Sequence, residues 1–426
     1  MREKKMISRR ITVILFGCFC LFVNVADAQE ITLQEADSLF LHNNLELLAA
    51  RCNVSAADAE VAQAKLYANP VVSLQENVYN CNNRRFFDFG SKSEQVVDVD
   101  QMIYIAGQHA NVVRMTKAGK VVAQREFDEL LRNLRGEMHK IFIKLYFAQR
   151  NIKMYQNEIL SLSQVLDALV TQEKKGNISR VETGRIQALL LSLRQEQDDF
   201  MESKSELEGH LRLFLSLPFD VQPTVTLDVD CIDSLLDMPG SMPAIEKYLA
   251  DRSDVLLAES NKRLAQASLK VERSKAWPEV HITGQYDRNA GYFPNYFALG
   301  VTMSVPLFNR NQGNIKRAKN SIEKCQLDYQ NALSKAQNEA EVAIENFRRN
   351  VALVQSIKKD LDKTDLEGLF QSINDNYRQR NISLLEFVDY YNTYKNTQLA
   401  VSSVKENTFL AVEELNCVLG KDIIKY

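Results

Sequence analysis

Between residues 296 and 305 the chain alternates, with Phe297, Leu299, Val301, Met303 and Val305 set against Tyr296, Ala298, Gly300, Thr302 and Ser304. A period of two predicts a strand with one apolar face. Ten residues later the period changes, and Ile315, Ala318, Ile322 and Leu327 open a helical pattern that runs to about Tyr377. The stretch between the two holds Pro306, Leu307, Phe308, Asn309 and Gly313. Pro306 lacks an amide donor, so it can close a strand but not sit inside a central one. Gly313 is expected to relax the backbone before the helix. A strand therefore feeds a very long helix through a short turn.

The same grammar recurs along the chain. Leu33, Ala36, Leu39, Phe40, Leu47 and Leu48 follow helical spacing in one helix expected over Thr32–Ala68. Asn69-Pro70 stops it, because the residue before proline is pushed out of the helical region. Strands are expected at about 71–79 and 95–104, separated by a polar and aromatic loop at 80–92. From Ala110 to about Glu173 helical periodicity is continuous, a rod of roughly 95 Å at ~1.5 Å per residue. Lys174-Lys175-Gly176-Asn177 ends it, with Gly176 in a left-handed turn position. Ser179 with Glu182 three residues on predicts a capping box for the next helix, to about Leu215.

Residues 216–243 hold Pro218, Pro223, Pro239, Gly240 and Pro243 and read as a linker or waist element, with a small strand at Val225–Val229. After it the plan restarts. A helix from Ala244 stops at Trp277-Pro278, 208 residues beyond Asn69-Pro70 (278 against 70). Strands follow at about 279–287 and 296–305, then a second rod. Its tip Arg380-Asn381-Ile382-Ser383-Leu384-Leu385-Glu386 shares Asn-Ile-Ser-x-x-Glu with Asn177-Ile178-Ser179-Arg180-Val181-Glu182 at an offset of 204 (381 against 177). Stops, strand pairs, rods and tips in one order mean an internal duplication. The division is a first repeat at 29–215 with its tip at 174–182, the linker, and a second repeat at 244–426 with its tip at 378–386.

Composition supports long elements. The 426 residues contain 15 Gly and 8 Pro, against about 30 and 21 for average usage. A net charge of −3 gives no reason to expect nucleic acid. Arg2, Lys4, Lys5, Arg9 and Arg10 precede the apolar run Ile11–Val25, and Ala26-Asp27-Ala28 supplies a small-x-small site. This reads as a signal peptide over residues 1–28, cleaved before Gln29. Lipid attachment at Cys18 is the rival reading, disfavoured by bulky Phe16 and a short apolar run. Cys52, Cys81, Cys231, Cys325 and Cys417 would remain, an odd and scattered set with no disulfide framework.

Strands of about 9–10 residues match the length that crosses a bilayer in a tilted barrel. Val280, Ile282 and Tyr286 alternate with His281, Thr283, Gln285 and Asp287, apolar outward and polar inward. In the first half Val72, Leu74 and Val78 fit, while Glu76, Asp98 and Asp100 need a lumen or rim. Four strands cannot close, and an open edge in lipid leaves backbone groups unsatisfied. Several copies must therefore share one barrel.

The junction Pro306-Leu307-Phe308-Asn309-Arg310, with the duplicated rods and strand pairs, resembles the TolC family of outer-membrane efflux ducts. The resemblance covers about Glu30 to Leu419. It implies a mainly α fold of long antiparallel helical hairpins with four transmembrane strands per chain, and a homotrimer whose twelve-stranded barrel continues as an α-helical tunnel. It also implies a passive duct for drugs, metal ions or other small molecules, docked at its tips to a periplasmic adaptor and an inner-membrane pump. A type I secretion duct for polypeptides and a periplasmic coiled-coil adaptor or scaffold are the alternatives. The scaffold reading lacks the strand-dense domains that adaptors carry.

Catalytic patterns are absent. His42, His109, His139, His210 and His281 stand apart and read as surface or lumen positions, and no phosphate loop, nucleophile elbow, cofactor motif or metal-ligand cluster occurs. No enzyme is expected. The candidate chemistry is placed charge. Glu386 and Asp389 lie three apart on one helical face, and the resemblance points the matching family positions into the narrowing pore. Three copies would bring six carboxylates together. The first repeat has Arg185 where the second has Asp389 (offset 204), so Arg185 is expected to pair with one of these acids. Gly176, Asn177, Ile178, Ser179, Glu182, Arg380, Asn381, Ile382 and Ser383 form the expected adaptor-docking tips.

Overall fold

A computed structural model describes residues 30–80, 84–87, 89–90, 93–229, 245–290, 293–361 and 366–424. The expected signal peptide and Cys18 lie outside these residues, as do Cys81, Cys231, Pro239, Gly240 and Pro243. In chain order the elements are β1 (Glu30–Thr32), α1 (Leu33–Asn43), α2 (Leu45–Ala64), β2 (Val71–Glu76), β3 (Tyr79–Asn80), β4 (Arg85–Phe86), β5 (Gln95–Ile103), α3 (Gln108–Lys174) and α4 (Arg180–Leu215). There follow β6 (Thr224–Thr226), α5 (Ile245–Ala250), α6 (Ser253–Ser274), β7 (Glu279–Ala290), β8 (Phe293–Ser304), α7 (Gln312–Leu361), α8 (Leu366–Arg378) and α9 (Leu384–Leu419).

The helix expected over 32–68 is two helices. Thr32 and Glu35 form a reciprocal capping box that starts α1. Asn44 then leaves helical geometry (φ −60°, ψ 118°) and caps α2, its Oδ1 accepting from the Leu47 amide at 3.0 Å. Its Nδ2 donates to the Phe214 carbonyl at 3.0 Å, so the break is held by a contact 170 residues away. The 67 residues of α3 extend about 100 Å at ~1.5 Å per residue.

One sheet has the order β2-β5-β7-β8, all neighbours antiparallel. The pair β5–β7 joins the two repeats edge to edge. Rows across the sheet follow from the register. Leu74, Val97, Tyr286 and Phe297 form one row, and Val72, Val99, Gly284 and Leu299 the next. Gln101, Ile282 and Val301 follow, then Ile103, Val280 and Met303. The opposite face carries Ser73, Asp98, Gln285 and Ala298 in one row, Val71, Asp100, Thr283 and Gly300 in another, and Met102, His281 and Thr302 in a third, a mainly polar set. There His281 Nδ1 lies 2.7 Å from Asp100 Oδ1. Gly300 gives the Thr283 side chain its room: a Cβ on it would lie 2.6 Å from the Thr283 hydroxyl, which would have to shift. The apolar face is bare, with Leu299 83% and Leu74 77% exposed.

Strand bounds differ from those expected. β2 stops at Glu76 because its partner β5 begins at Gln95, and the expected loop 80–92 contains the short β3–β4 hairpin. β8 begins earlier, at Phe293, and takes in Pro294, which is tolerated because β8 is an edge strand. At the strand-to-helix junction the residue in left-handed geometry is Asn311 (φ 57°), not Gly313, which lies in the first turn of α7. Asn311 can hold that conformation because its Nδ2 donates to the carbonyl and the carboxylate of Glu272 on α6, at 2.8 and 2.7 Å. Gly107 (φ 72°) does the same before α3, 204 residues earlier (107 against 311).

Three apolar cores lie along the rods. One, with Phe40, Phe142 and Leu215, gathers α1 to α4 around the parallel pair β1–β6 at the waist. A second, with Phe347, Phe409 and Val412, joins α3, α5, α6, α7 and α9. The third, with Tyr155, Ile186, Tyr377 and Phe387, unites α3, α4, α8 and α9 toward the hairpin ends.

Candidate functional site

The two hairpin ends are built alike. At the first, Gly176 stands at φ 75°, its amide donating to the Glu173 carbonyl at 2.8 Å, and the Asn177 amide donates to the Gln172 carbonyl at 3.0 Å. At the second, Arg380 stands at φ 61° and donates to the Tyr377 carbonyl at 3.0 Å, while Asn381 donates to the Asn376 carbonyl at 2.8 Å. Side chains repeat the match. Asn177 Nδ2 donates to Gln172 Oε1 at 2.7 Å, and Asn381 Nδ2 to Asn376 Oδ1 at 3.1 Å. Both are the left-handed helix stop that frees the last carbonyls from water.

The expected capping box at Ser179 does not form, since its hydroxyl accepts from the Val181 amide at 3.1 Å instead. The complete box is at the second tip. The Ser383 amide donates to Glu386 Oε2 at 2.7 Å, and the Glu386 amide donates to the Ser383 hydroxyl oxygen at 3.3 Å. That backbone hydrogen bond from Ser383 holds the Glu386 carboxyl below the usual range. Glu386 is therefore a capping group as well as a candidate pore carboxylate.

Glu386, Asp389 and Arg185 are all exposed. Among the described residues Arg185 makes no ion pair with either acid inside the chain. The second tip closes on itself through apolar and aromatic contacts. Tyr377 stacks on Phe387 with ring centroids 4.5 Å apart, and Ile382 packs against the same core. Burial, with the Glu182 carboxylate nearby, raises the Tyr377 hydroxyl.

Behind the tips lies a buried polar layer that periodicity did not reveal. Tyr391 on α9 donates to Glu158 on α3 at 2.7 Å. Tyr155 on α3 donates to Glu196 on α4 at 2.8 Å, and Lys395 on α9 donates to both oxygens of Glu196 at 2.9 and 2.7 Å. Three helices are thereby cross-linked. Burial raises the Glu158 carboxyl, opposed by the Tyr391 hydrogen bond and Lys395.

His139 corrects the reading of the histidines as surface or lumen positions. It is 5% exposed on α3, with Nε2 2.8 Å from Asp37 on α1 and Nδ1 2.8 Å from Glu413 on α9. Arg135 donates to both oxygens of Asp37 at 2.9 and 2.7 Å, and to Asp422 at 3.0 Å. Burial alone would lower the imidazole, but its two carboxylate partners raise it to about 9. Burial would likewise raise Asp37, but His139 and Arg135 bring it down to about 2. The signal was present in the sequence, because His139 falls on the apolar stripe with Met138, Phe142 and Leu145.

No family model matches the chain. The cobalt-zinc-cadmium resistance protein CzcC of Cupriavidus metallidurans is 20% identical over 399 residues, 92% of this chain and 91% of that protein. Solved CusC superposes with a TM-score of 0.75 over 95% of this chain and 96% of its own, at 16% identity. The open state of the Neisseria gonorrhoeae MtrE outer-membrane channel gives 0.73 over 92% and 89%, also at 16%.

The chain has the fold of the TolC-family outer-membrane channels.

No helix among the described residues is long and apolar enough to cross a membrane. Among the described residues no group of three or more His, Cys, Asp or Glu is placed to hold a metal.

Proposed function

We propose that the protein is the outer-membrane duct of a tripartite efflux system, a passive homotrimer that takes solutes from an inner-membrane pump through a periplasmic adaptor. One observation carries this reading: a four-stranded sheet with an exposed apolar face, a polar opposite face and two open edges. In lipid each unpaired edge group costs several kcal/mol, so β2 of one copy must pair with β8 of the next. Two copies would give eight strands, a barrel filled by its own side chains, whereas three give twelve and leave a lumen. Trp277, Leu307 and Phe308 stand exposed where strands meet rods, as an interfacial belt requires.

Single cysteines along β2 combined with others along β8 test the assembly. Oxidation of membranes should give a ladder ending at three chains. A ladder ending at two, or none, sinks the shared barrel.

The name of the CzcC relative makes divalent transition-metal ions the first cargo to examine. Loss of the protein from its own cell should raise sensitivity to cobalt, zinc or cadmium, and unchanged sensitivity to all three would point to another cargo. The tips Gly176–Glu182 and Arg380–Glu386 are the adaptor-docking surface in this reading. Photo-cross-linkers at Asn177 and Asn381 should capture a periplasmic partner. Glu386 and Asp389 ring the resting constriction, and Arg185 pairs with an acid of a neighbouring copy, since among the described residues it pairs with none in its own.

A further inference from the structure

The helix α4 buries Ile186, Leu190 and Leu193 in the core near the tips. Its opposite side is left exposed, with Val181, Gly184, Ala188 and Leu191 followed by Gln195, Asp198 and Glu202. These positions are spaced alternately three and four apart, the seam of a helix that packs along another helix. Leu191 is 69% and Val181 66% exposed. Leu160 on α3 is exposed too, but Gln156, Asn157 and Gln164 surround it on that face.

An apolar groove of about 310 Å³ lies between α8 and α9, lined by Leu369, Ile373, Ile382, Tyr390, Thr393 and Thr397. Among the described residues no charged side chain lines it, and Leu369 and Tyr390 are open to solvent at 43% and 47%. Seam and groove stand at one level along the rods. Lys395 on α9 donates to both oxygens of Glu196 on α4, and both helices run away from the tips. Leu191 lies five residues tipward of Glu196 (196 against 191), and Tyr390 five tipward of Lys395 (395 against 390). The two therefore match to within about one helical turn.

We propose that a second copy of this chain occupies the groove: the α4 seam of one copy packs along α8 and α9 of the next, with Leu191 seated between Tyr390 and Thr393. The inference rests on the homotrimer reading above and names the helix faces that join its copies. A rotation axis parallel to the rods preserves level, so Leu191 of one copy meets the groove of its neighbour. Seam and groove are different surfaces, which makes the contact head to tail and lets it close into a ring. Gly184 and Ala188 leave room for the helices to approach, because interaxial distance is set by the side chains at the contact. Charge follows the same order. Toward the waist the seam turns acidic at Asp198 and Glu202, and in that direction from the groove α7 ends in Lys358 and Lys359. Opposite signs placed this way fix register and orientation more than affinity.

The test combines Leu191→Cys with Thr393→Cys in the full-length protein and oxidises outer-membrane fractions. A disulfide needs Cα atoms within about 7 Å, so this pair should give an interchain ladder ending at three chains. Each single variant should give none. Leu160→Cys with Thr393→Cys should give at least 10-fold less. Ala188→Phe, at a position exposed within its own chain, should cut the yield of the first pair at least 5-fold by holding the helices apart. The β2–β8 cysteine pairs run alongside separate two failures. A three-chain β2–β8 ladder with no bond from Leu191 to Thr393 positions overturns this interface and leaves the duct reading standing, whereas loss of both ladders overturns both. Preferred bonding through position 160, or a yield untouched by Ala188→Phe, also overturns the interface.

Discussion

The Tyr391 hydroxyl donates to Glu158 Oε2 across 2.7 Å, joining α9 of the second repeat to α3 of the first through two side chains that solvent scarcely reaches. Tyr391→Phe removes the donor and leaves both Glu158 oxygens unpaired. A buried charge-assisted pair of this kind is worth about 1.5–3 kcal/mol. The variant should lose thermal stability by that order, and amides of α9 near Phe387–Lys395 should exchange faster than in wild type. Unchanged exchange there would show that apolar packing alone holds α9.

His139 predicts a pH dependence with a definite sign. Its folded value is raised to about 9 from 6.5, so its stabilisation is complete below pH 6.5, shrinks as pH rises, and is gone once pH passes 9. Asp37, lowered to about 2 from 3.8, contributes above pH 3.8 and loses its contribution as pH falls toward 2. Melting temperature should therefore decline from pH 6.5 to 9 in wild type. In His139→Gln that decline should be largely absent, with a loss of about 3 kcal/mol at pH 6.5 from the imidazolium charge withdrawn from between Asp37 and Glu413. Parallel pH profiles for the two proteins would contradict this.

The two tips predict opposite responses at matching positions. Gly176→Val forces a β-branched residue into left-handed geometry and should cost about 1–2 kcal/mol. Arg380→Gly relieves the same strain and should stabilise the second tip by up to about 1 kcal/mol, reduced by the extra freedom of the unfolded chain. Amide exchange at Asn177 and Asn381 reads each effect locally.

The sheet faces predict an asymmetry under one substitution. Leu299→Lys puts a charge in the middle of the bare apolar face, at a cost of about 2–4 kcal/mol if that face meets lipid near the midplane. Gln285→Lys puts it on the polar face. The first should lower the amount of trimer recovered from outer-membrane fractions, and the second should not. Equal recovery would mean the apolar face packs on protein.

Charge and cap can be separated at the second tip. Gln at the third helical position still closes a capping box, so Glu386→Gln with Asp389→Asn removes the charge and keeps the helix start. In planar bilayers this double variant should show weaker cation selectivity and weaker block by divalent ions. Unchanged selectivity would leave Glu386 as a cap and Asp389 as a solvated residue.

The order of long helices and strand pairs was legible in the chain because its signals are local. Proline stops at Asn69-Pro70 and Trp277-Pro278, the Asn-Ile-Ser-x-x-Glu tips and the two rods each depend on residues a few positions apart, and helical and strand periods are properties of short windows. The alternation at 296–305 likewise gave one apolar face before any partner strand was known. Tertiary structure decided everything that depends on long-range partners. Asn44 splits a helix because Phe214 offers it a carbonyl, and Asn311 rather than Gly313 turns the junction because Glu272 holds it. His139 is buried because Asp37 and Glu413 arrive from opposite ends of the chain. Glu158 acquires one partner from α9 and keeps one buried oxygen without a hydrogen bond. Pairings across 39 to 274 residues leave no periodic trace, since each rests on a single side chain whose neighbour is set by how whole helices pack.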